Sequence, residues 1–387
     1  MALTRPGGYI RTVAPTVTFL NGKGSWTQNQ ITQYQTQRRW PQEFSTVLHI
    51  AQGSSSPTLL FAWTGSALAY STYTPPATAA FRGSTWDRAG RVLFFATSGN
   101  IIGYEFTKAG GIVSTYATPT ITYPPGTSTL QASPVTDRLW WWSSDIQGRL
   151  CSISYDPVTK TFGTFSQAVY LNNYPSSGDK RPSISPDGNF YGNGNSSSSV
   201  VLLYRINSDG TSSGAVSTPA SVSSTGANTY NVAWSPSGAA IGIGLSAGTP
   251  RFRLFRWSAD TYYGSEYSYA NYTGTALGAV WKVFWNNAGN VIFFLVGNAP
   301  FLTAYQWDDT NGIGSRFADP SGFTWSVATT ANVMLSPDDK LLVFNSAGTS
   351  GSDVALAWDN TTGFGAVTTM PVGLANANSV AFGTVTN

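Results

Sequence analysis

The sequence predicts an all-β protein, a seven-bladed β-propeller of four-stranded antiparallel blades preceded by an extended N-terminal arm. Three observations predict it: a turn signature that recurs at nearly constant spacing, an apolar strand-like run after most copies, and a C-terminal segment that supplies the strand missing at the start of the array. The clearest turns are Ser185-Pro186-Asp187-Gly188, Ser235-Pro236-Ser237-Gly238 and Ser336-Pro337-Asp338-Asp339. Degenerate copies are Asp87-Arg88-Ala89-Gly90, Ser133-Pro134-Val135-Thr136 and Asn286-Asn287-Ala288-Gly289. Their first residues are 46, 52, 50, 51 and 50 positions apart. A fixed period of this size marks stacked supersecondary units, typically solenoid turns or propeller blades.

Within a repeat, an apolar residue precedes most turns: Trp86, Ile184, Trp234, Trp285 and Leu335. Proline presets the second turn position, and Gly or Asp tolerates the backbone angles that follow, so strand, turn and strand read as a hairpin. The runs Val92–Phe95, Leu139–Trp142, Val291–Phe294 and Leu341–Phe344 read as strands buried on both faces. A third strand ends in an aromatic and an acid, as in Tyr155-Asp156, Trp307-Asp308 and Trp358-Asp359, and more loosely at Trp257–Asp260. A Gly-rich hairpin and a Thr/Ser-rich fourth strand follow. Four antiparallel strands in about fifty residues make one propeller blade.

The phase of the repeats predicts seven blades. The six turns leave Ser379-Val380-Ala381-Phe382, which resembles Asn231-Val232-Ala233-Trp234, without strands after it. Segments 46–51, 58–64 and 67–73 read as a second, third and fourth strand without a first. The first blade is therefore expected to be closed by the C-terminal strand, which removes free sheet edges.

Composition narrows the function classes. Charged residues are 10% of the chain and aromatics 14%, whereas ordinary domains carry about 25% charge. A net charge of +3 is too small for nucleic-acid binding by the body. No apolar run is long enough for a membrane helix, and residues 1–10 lack the apolar centre of a secretory signal. The single Cys151 excludes an internal disulfide framework and reads as a small buried hydrophobe.

Residues 1–42 stand outside the repeat and form one predicted unit, the propeller at 43–387 the other. The first unit holds Arg5, Arg11, Lys23, Arg38 and Arg39, no acid, and Trp40 beside the last pair. Its amide-rich stretch 28–37 cannot bury enough surface to order itself. It is read as an arm that packs along its own propeller or extends onto a neighbouring subunit.

The chain offers few groups for acid–base chemistry. His49 is the single histidine, and the glutamates are Glu43, Glu105 and Glu266. No His/Cys cluster suggests zinc and no Gly-rich loop suggests a phosphate site, so no catalytic residue, metal or cofactor is expected. Asp187, Asp338 and Asp339 fall in the turns, and Asp156, Asp308 and Asp359 end third strands; such repetition points to local hydrogen bonding. Asp137 and Asp145 flank Trp140-Trp141-Trp142 without a counterpart in other repeats. The fourteen tryptophans suit inter-blade packing, with a carbohydrate-stacking face of Trp141, Tyr262, Tyr263 and Tyr267 as the functional alternative.

The Ser-Pro-Asp-Gly turn, the apolar strand after it and the Trp/Tyr-Asp-x-x-x-Gly hairpin resemble the WD40-like and lactonase-like β-propeller superfamily over residues 46–387. The Gly-His pairs of true WD40 repeats are missing, and the Glu and His that a lactonase-type member places around its channel have no match. The overall character, sparse in charge and rich in Gly, Ser, Thr, Asn and Gln, resembles bacteriophage tail or capsid-accessory proteins. That resemblance implies a non-enzymatic structural protein of a virion, held to neighbouring subunits through residues 1–42, with no membrane insertion and no nucleic acid as partner. The alternatives are a propeller that binds a host-surface glycan or receptor and, third, a lactonase-like enzyme.

Overall fold

A computed structural model describes residues 45–52, 59–63, 68–70, 83–106, 112–126, 130–143, 148–170, 182–195, 198–272, 278–321, 332–345, 354–368 and 377–385. The arm candidates Arg5, Arg11, Lys23, Arg38, Arg39 and Trp40 lie outside these residues, as do Glu43 and Asp145. The architecture is an all-β propeller of four-stranded antiparallel blades. Six sheets are each built from four consecutive strands. Their first strands are β4 (Gly83–Trp86), β8 (Gln131–Ala132), β12 (Ser183–Ile184), β16 (Thr229–Trp234), β20 (Val280–Trp285) and β24 (Asn332–Leu335). A further four-stranded sheet pairs the last described strand with the first, in the order β28 (Ala377–Val385), β1 (Ser45–Gln52), β2 (Leu59–Trp63), β3 (Leu68–Tyr70). Here β28 pairs antiparallel with β1 from Ser45↔Val385 to Gln52↔Ala377, with one register shift at Ala51/Gln52. The strand β28 also lies against β4 on one side and β24 on the other.

The turn signature has a common physical content in five of its six copies; in the sixth, Ser133 Oγ accepts instead from Val135 N and Thr136 N inside its own turn. The first residue carries a side-chain oxygen that accepts the backbone N–H five residues on: Ser185 from Phe190 at 2.9 Å, Ser235 from Ala240 at 3.1 Å, Ser336 from Leu341 at 2.9 Å, Asp87 from Val92 at 2.9 Å and Asn286 from Val291 at 2.9 Å. Ser, Asp and Asn are interchangeable here because each offers that acceptor. The fourth residue has positive φ, as at Gly188 (74°) and Asp339 (55°); glycine adopts this without strain. Asp339 tolerates it and uses its carboxylate, which accepts Asn287 N at 2.9 Å and Ala288 N at 3.0 Å from the preceding turn.

Third strands end as the aspartate pattern predicts. Asp308 accepts from Thr310 N and Asn311 N, and Asp359 from Thr361 N and Thr362 N, all within 2.9 Å. Just beyond, Trp307 Nε1 donates to Asp309 Oδ1 at 2.8 Å while Ser237 of the preceding sheet donates to Asp309 Oδ2. The next sheet repeats the device: Trp358 Nε1 donates to Asn360 Oδ1 at 2.7 Å, and Asn286 Nδ2 donates to the same oxygen at 3.0 Å. A Trp–Asx–turn link thus ties neighbouring blades without histidine.

The core lies between sheets. Trp140, Trp141 and Trp142 are fully buried, and strand alternation sends them to two interfaces. Trp141 packs with Phe94, Leu139 and Cys151, whereas Trp140 and Trp142 pack with Tyr191 and Tyr204 of the following sheet. Among the described residues no helix is long and apolar enough to cross a membrane.

Candidate active site in the central channel

The first strands converge on one cavity of about 430 Å³. Its lining comes from β4, β8, β12, β16, β20 and β24 and from the turn residues Asp87 and Asn287. On each strand the residue two positions before the turn is partly exposed to this channel: Thr85, Gln131, Ser183, Ala233, Phe284 and Met334. Their neighbours Trp86, Val232, Trp234, Val283, Trp285 and Val333 are buried between blades, as the period of two requires.

Two positions further up, Asn231 and Lys282 add polar groups. Asn231 is fixed between adjacent strands: its Oδ1 accepts Val283 N at 2.8 Å, and its Nδ2 donates to Val283 O at 2.9 Å. Lys282 Nζ donates to Val333 O across to β24 at 2.9 Å and lies 5.8 Å from the Phe284 ring centre. Phe284 is itself stacked on Phe293, with ring centres 4.8 Å apart and planes 9° from parallel. Lys282 and Asp87 are the charged residues of the described lining. Asp87 Oδ1 is engaged by the backbone N–H groups of Arg91 and Val92 at its own turn. The arrangement can orient a small polar ring and place an ammonium beside it.

The aromatic candidates lie elsewhere. Trp141 is wholly buried and donates from Nε1 to Tyr123 O at 2.9 Å. Tyr267 is buried, with its hydroxyl donating to Asp309 O at 2.6 Å. Tyr262 and Tyr263 are half-buried and pack on Phe190, Phe255 and Trp257; burial pushes the Tyr263 phenol well above its usual pKa. Asp137 forms an ion pair with Arg88 at 2.9 Å. His49 lies on β1 opposite Leu60 and Ala381. The channel residues had a sequence signal, the position two before each turn, but it becomes visible only once the first strand of each repeat is known to face the axis.

No family model matches this chain, and no curated protein does. Solved structures do. The periplasmic gluconolactonase of Pseudomonas aeruginosa matches with a TM-score of 0.63 at 13% identity, covering 89% of this chain and 100% of the other. A putative 6-phosphogluconolactonase from Bacteroides uniformis gives 0.60 at 13% identity, covering 88% and 100%. Another from Bacteroides fragilis gives 0.61 at 11% identity, covering 88% and 98%. At these identities the likeness shows the fold.

These matches correct two expectations from the sequence. The chain was expected to be a virion protein without enzymatic activity, yet the three solved structures just named, which it resembles over nearly their whole length, are a gluconolactonase and two putative 6-phosphogluconolactonases. The reason for the error is physical. Much of the Gly, Ser and Asn that suggested a particle protein is what the turns consume as hydrogen-bond acceptors and positive-φ residues, so that composition reports the fold and not where the protein works.

Proposed function

We propose that the chain is a lactonase-type enzyme that opens a small cyclic ester in its central channel. The observation that carries this reading is the convergence of the first strands on one cavity of about 430 Å³ with Lys282 at its wall; the likeness to a gluconolactonase and two putative 6-phosphogluconolactonases supports it. Ring opening adds water to the ester carbonyl, passes through a tetrahedral oxyanion, and breaks the ring C–O bond to leave a hydroxy acid. Charge develops on the former carbonyl oxygen, where an ammonium stabilises the transition state more than the ground state. Lys282 is the residue in place to do so, oriented by Val333 O. Sugar-acid lactones open unaided in neutral water, so orientation and oxyanion stabilisation supply catalysis although the described lining holds no histidine and its carboxylate, Asp87, is engaged at its own turn.

The same reading takes the seven sheets as blades of one closed ring, completed by the two ends of the chain. The pairing of β28 with β1 and the position of β28 between β24 and β4 support it. Closure matters for the site because it holds the first strands around a common axis.

The test is ring opening of glucono-1,5-lactone and its 6-phosphate, followed by base uptake at constant pH. Saturable opening above the buffer rate is expected, and Lys282→Met should lower kcat about 100-fold or more, the usual effect of losing one oxyanion donor. A wild-type rate equal to buffer with both lactones would refute the assignment.

A further inference from the structure

Among the described residues the channel positions are divided. In order around the propeller it reads Thr85, Gln131, Ser183, then Ala233, Phe284, Met334. Three consecutive strands present a hydroxyl, an amide and a hydroxyl; the next three present a methyl, a phenyl ring and a thioether. All six occupy the same register, two residues before the turn, so the division lies across the channel at one depth.

Each wall is prepared for its role. Thr85 Oγ1 is held by accepting Ala132 N at 3.2 Å, while Gln131 and Ser183 have no side-chain hydrogen bond among the described residues and keep their donors and acceptors for a ligand. On the other wall the Phe293 stack fixes the Phe284 ring, which therefore offers a flat apolar surface at little entropic cost. Lys282 stands above Phe284 on the same face of β20.

We infer that the channel reads its ligand by face. Hydroxyl groups on one edge of a saturated six-membered ring are bound by Thr85, Gln131 and Ser183, and the C–H face of that ring lies on Phe284 and Met334. The ligand class is a polyhydroxylated cyclic ester, with its carbonyl directed to Lys282. This rests on the lactone reading for the ester and on the divided wall for the rest.

The experiment is calorimetric binding of two non-hydrolysable rings, gluconolactam and piperidin-2-one, the same lactam ring without hydroxyls. Wild type should bind the hydroxylated ring more tightly. The double variant Gln131→Leu/Ser183→Ala should lose about tenfold or more in affinity for gluconolactam, as expected for two hydrogen bonds, and none for piperidin-2-one. Met334→Gln should weaken both. Because both probes are measured on each variant, retained piperidin-2-one binding by the double variant certifies its fold. The proposal is overturned if wild type does not bind gluconolactam, or if the double variant binds both rings as wild type does or loses both equally. Face-dependent binding without ring opening by wild type would uphold the divided channel and refute the lactonase reading alone.

Discussion

The indole N–H of Trp63 donates to Oδ2 of Asp338 at 2.9 Å, joining residues 275 positions apart. Trp63 ends β2, the third strand of the sheet that pairs β28 with β1, and Asp338 belongs to the turn after β24. The same relation, third-strand Trp region to the turn of the preceding blade, holds for Trp307 with Asp309 and Ser237 and for Trp358 with Asn360 and Asn286. Trp63 reaches the turn carboxylate directly, where Trp307 and Trp358 reach the neighbouring turn through an Asx two residues on.

Breaking that link should loosen the junction. Trp63→Phe keeps the ring and removes the donor, and should cost about 1–2 kcal/mol in urea unfolding, the value of a hydrogen bond to a charged acceptor with partial burial. Deleting residues 377–387 should cost far more, because it bares the β1 edge to aggregation. An unchanged midpoint for the deletion would show that β28 does not complete the sheet in solution.

The turns make a sharper comparison. Ser185→Ala leaves the Phe190 N–H without its acceptor and should cost about 1–2 kcal/mol, whereas Ser185→Asn, which copies Asn286, should recover most of it. Equal losses for the two variants would mean that the hydroxyl acts by packing.

Acid should act on Glu105. Burial alone would raise its pKa, but hydrogen bonds from Lys160, Arg91 and Ser114 outweigh that and hold the carboxyl at about 2, below its ordinary 4.5. The ionised form is thus favoured by folding. Its contribution is complete above pH 4.5 and disappears as pH falls from there towards 2. Glu105→Gln should melt below wild type at pH 7, with the gap narrowing steadily as the pH falls from 4.5 towards 2. A gap independent of pH would exclude the charge as its cause.

Close approach of backbones sets one glycine apart from another. A Cβ on Gly194 would overlap the Tyr230 carbonyl on β16, while one on Gly99 meets nothing within 4 Å. Gly194→Ala should destabilise by about 1–3 kcal/mol and Gly99→Ala by no more than about 0.5 kcal/mol. Chemical denaturation of the pair decides this; equal effects would contradict the fit of residue 194 against its neighbour strand.

Much of the fold was legible because its signals are local. The Ser185 hydroxyl reaches the N–H of Phe190, Asp308 reaches those of Thr310 and Asn311, and such bonds span at most five residues, so they recur with the repeat and can be read along the chain. The strand interval follows from the same period. The site was not legible. Gln131 and Phe284 are ordinary strand residues until the first strands are set around an axis, and the conspicuous aromatics Trp141 and Tyr267 were drawn into interfaces that need large side chains.

The sequence by itself determined the four-stranded repeat, its turns and the role of the turn aspartates, since these depend on backbone hydrogen bonds closed within a few residues. The tertiary structure decided which residues share the channel, that Lys282 and Phe284 line one cavity with Gln131 and Ser183, and that Trp63 meets Asp338. Those relations depend on how separate sheets are placed about one axis, and that placement is set by packing between blades, which no local pattern encodes.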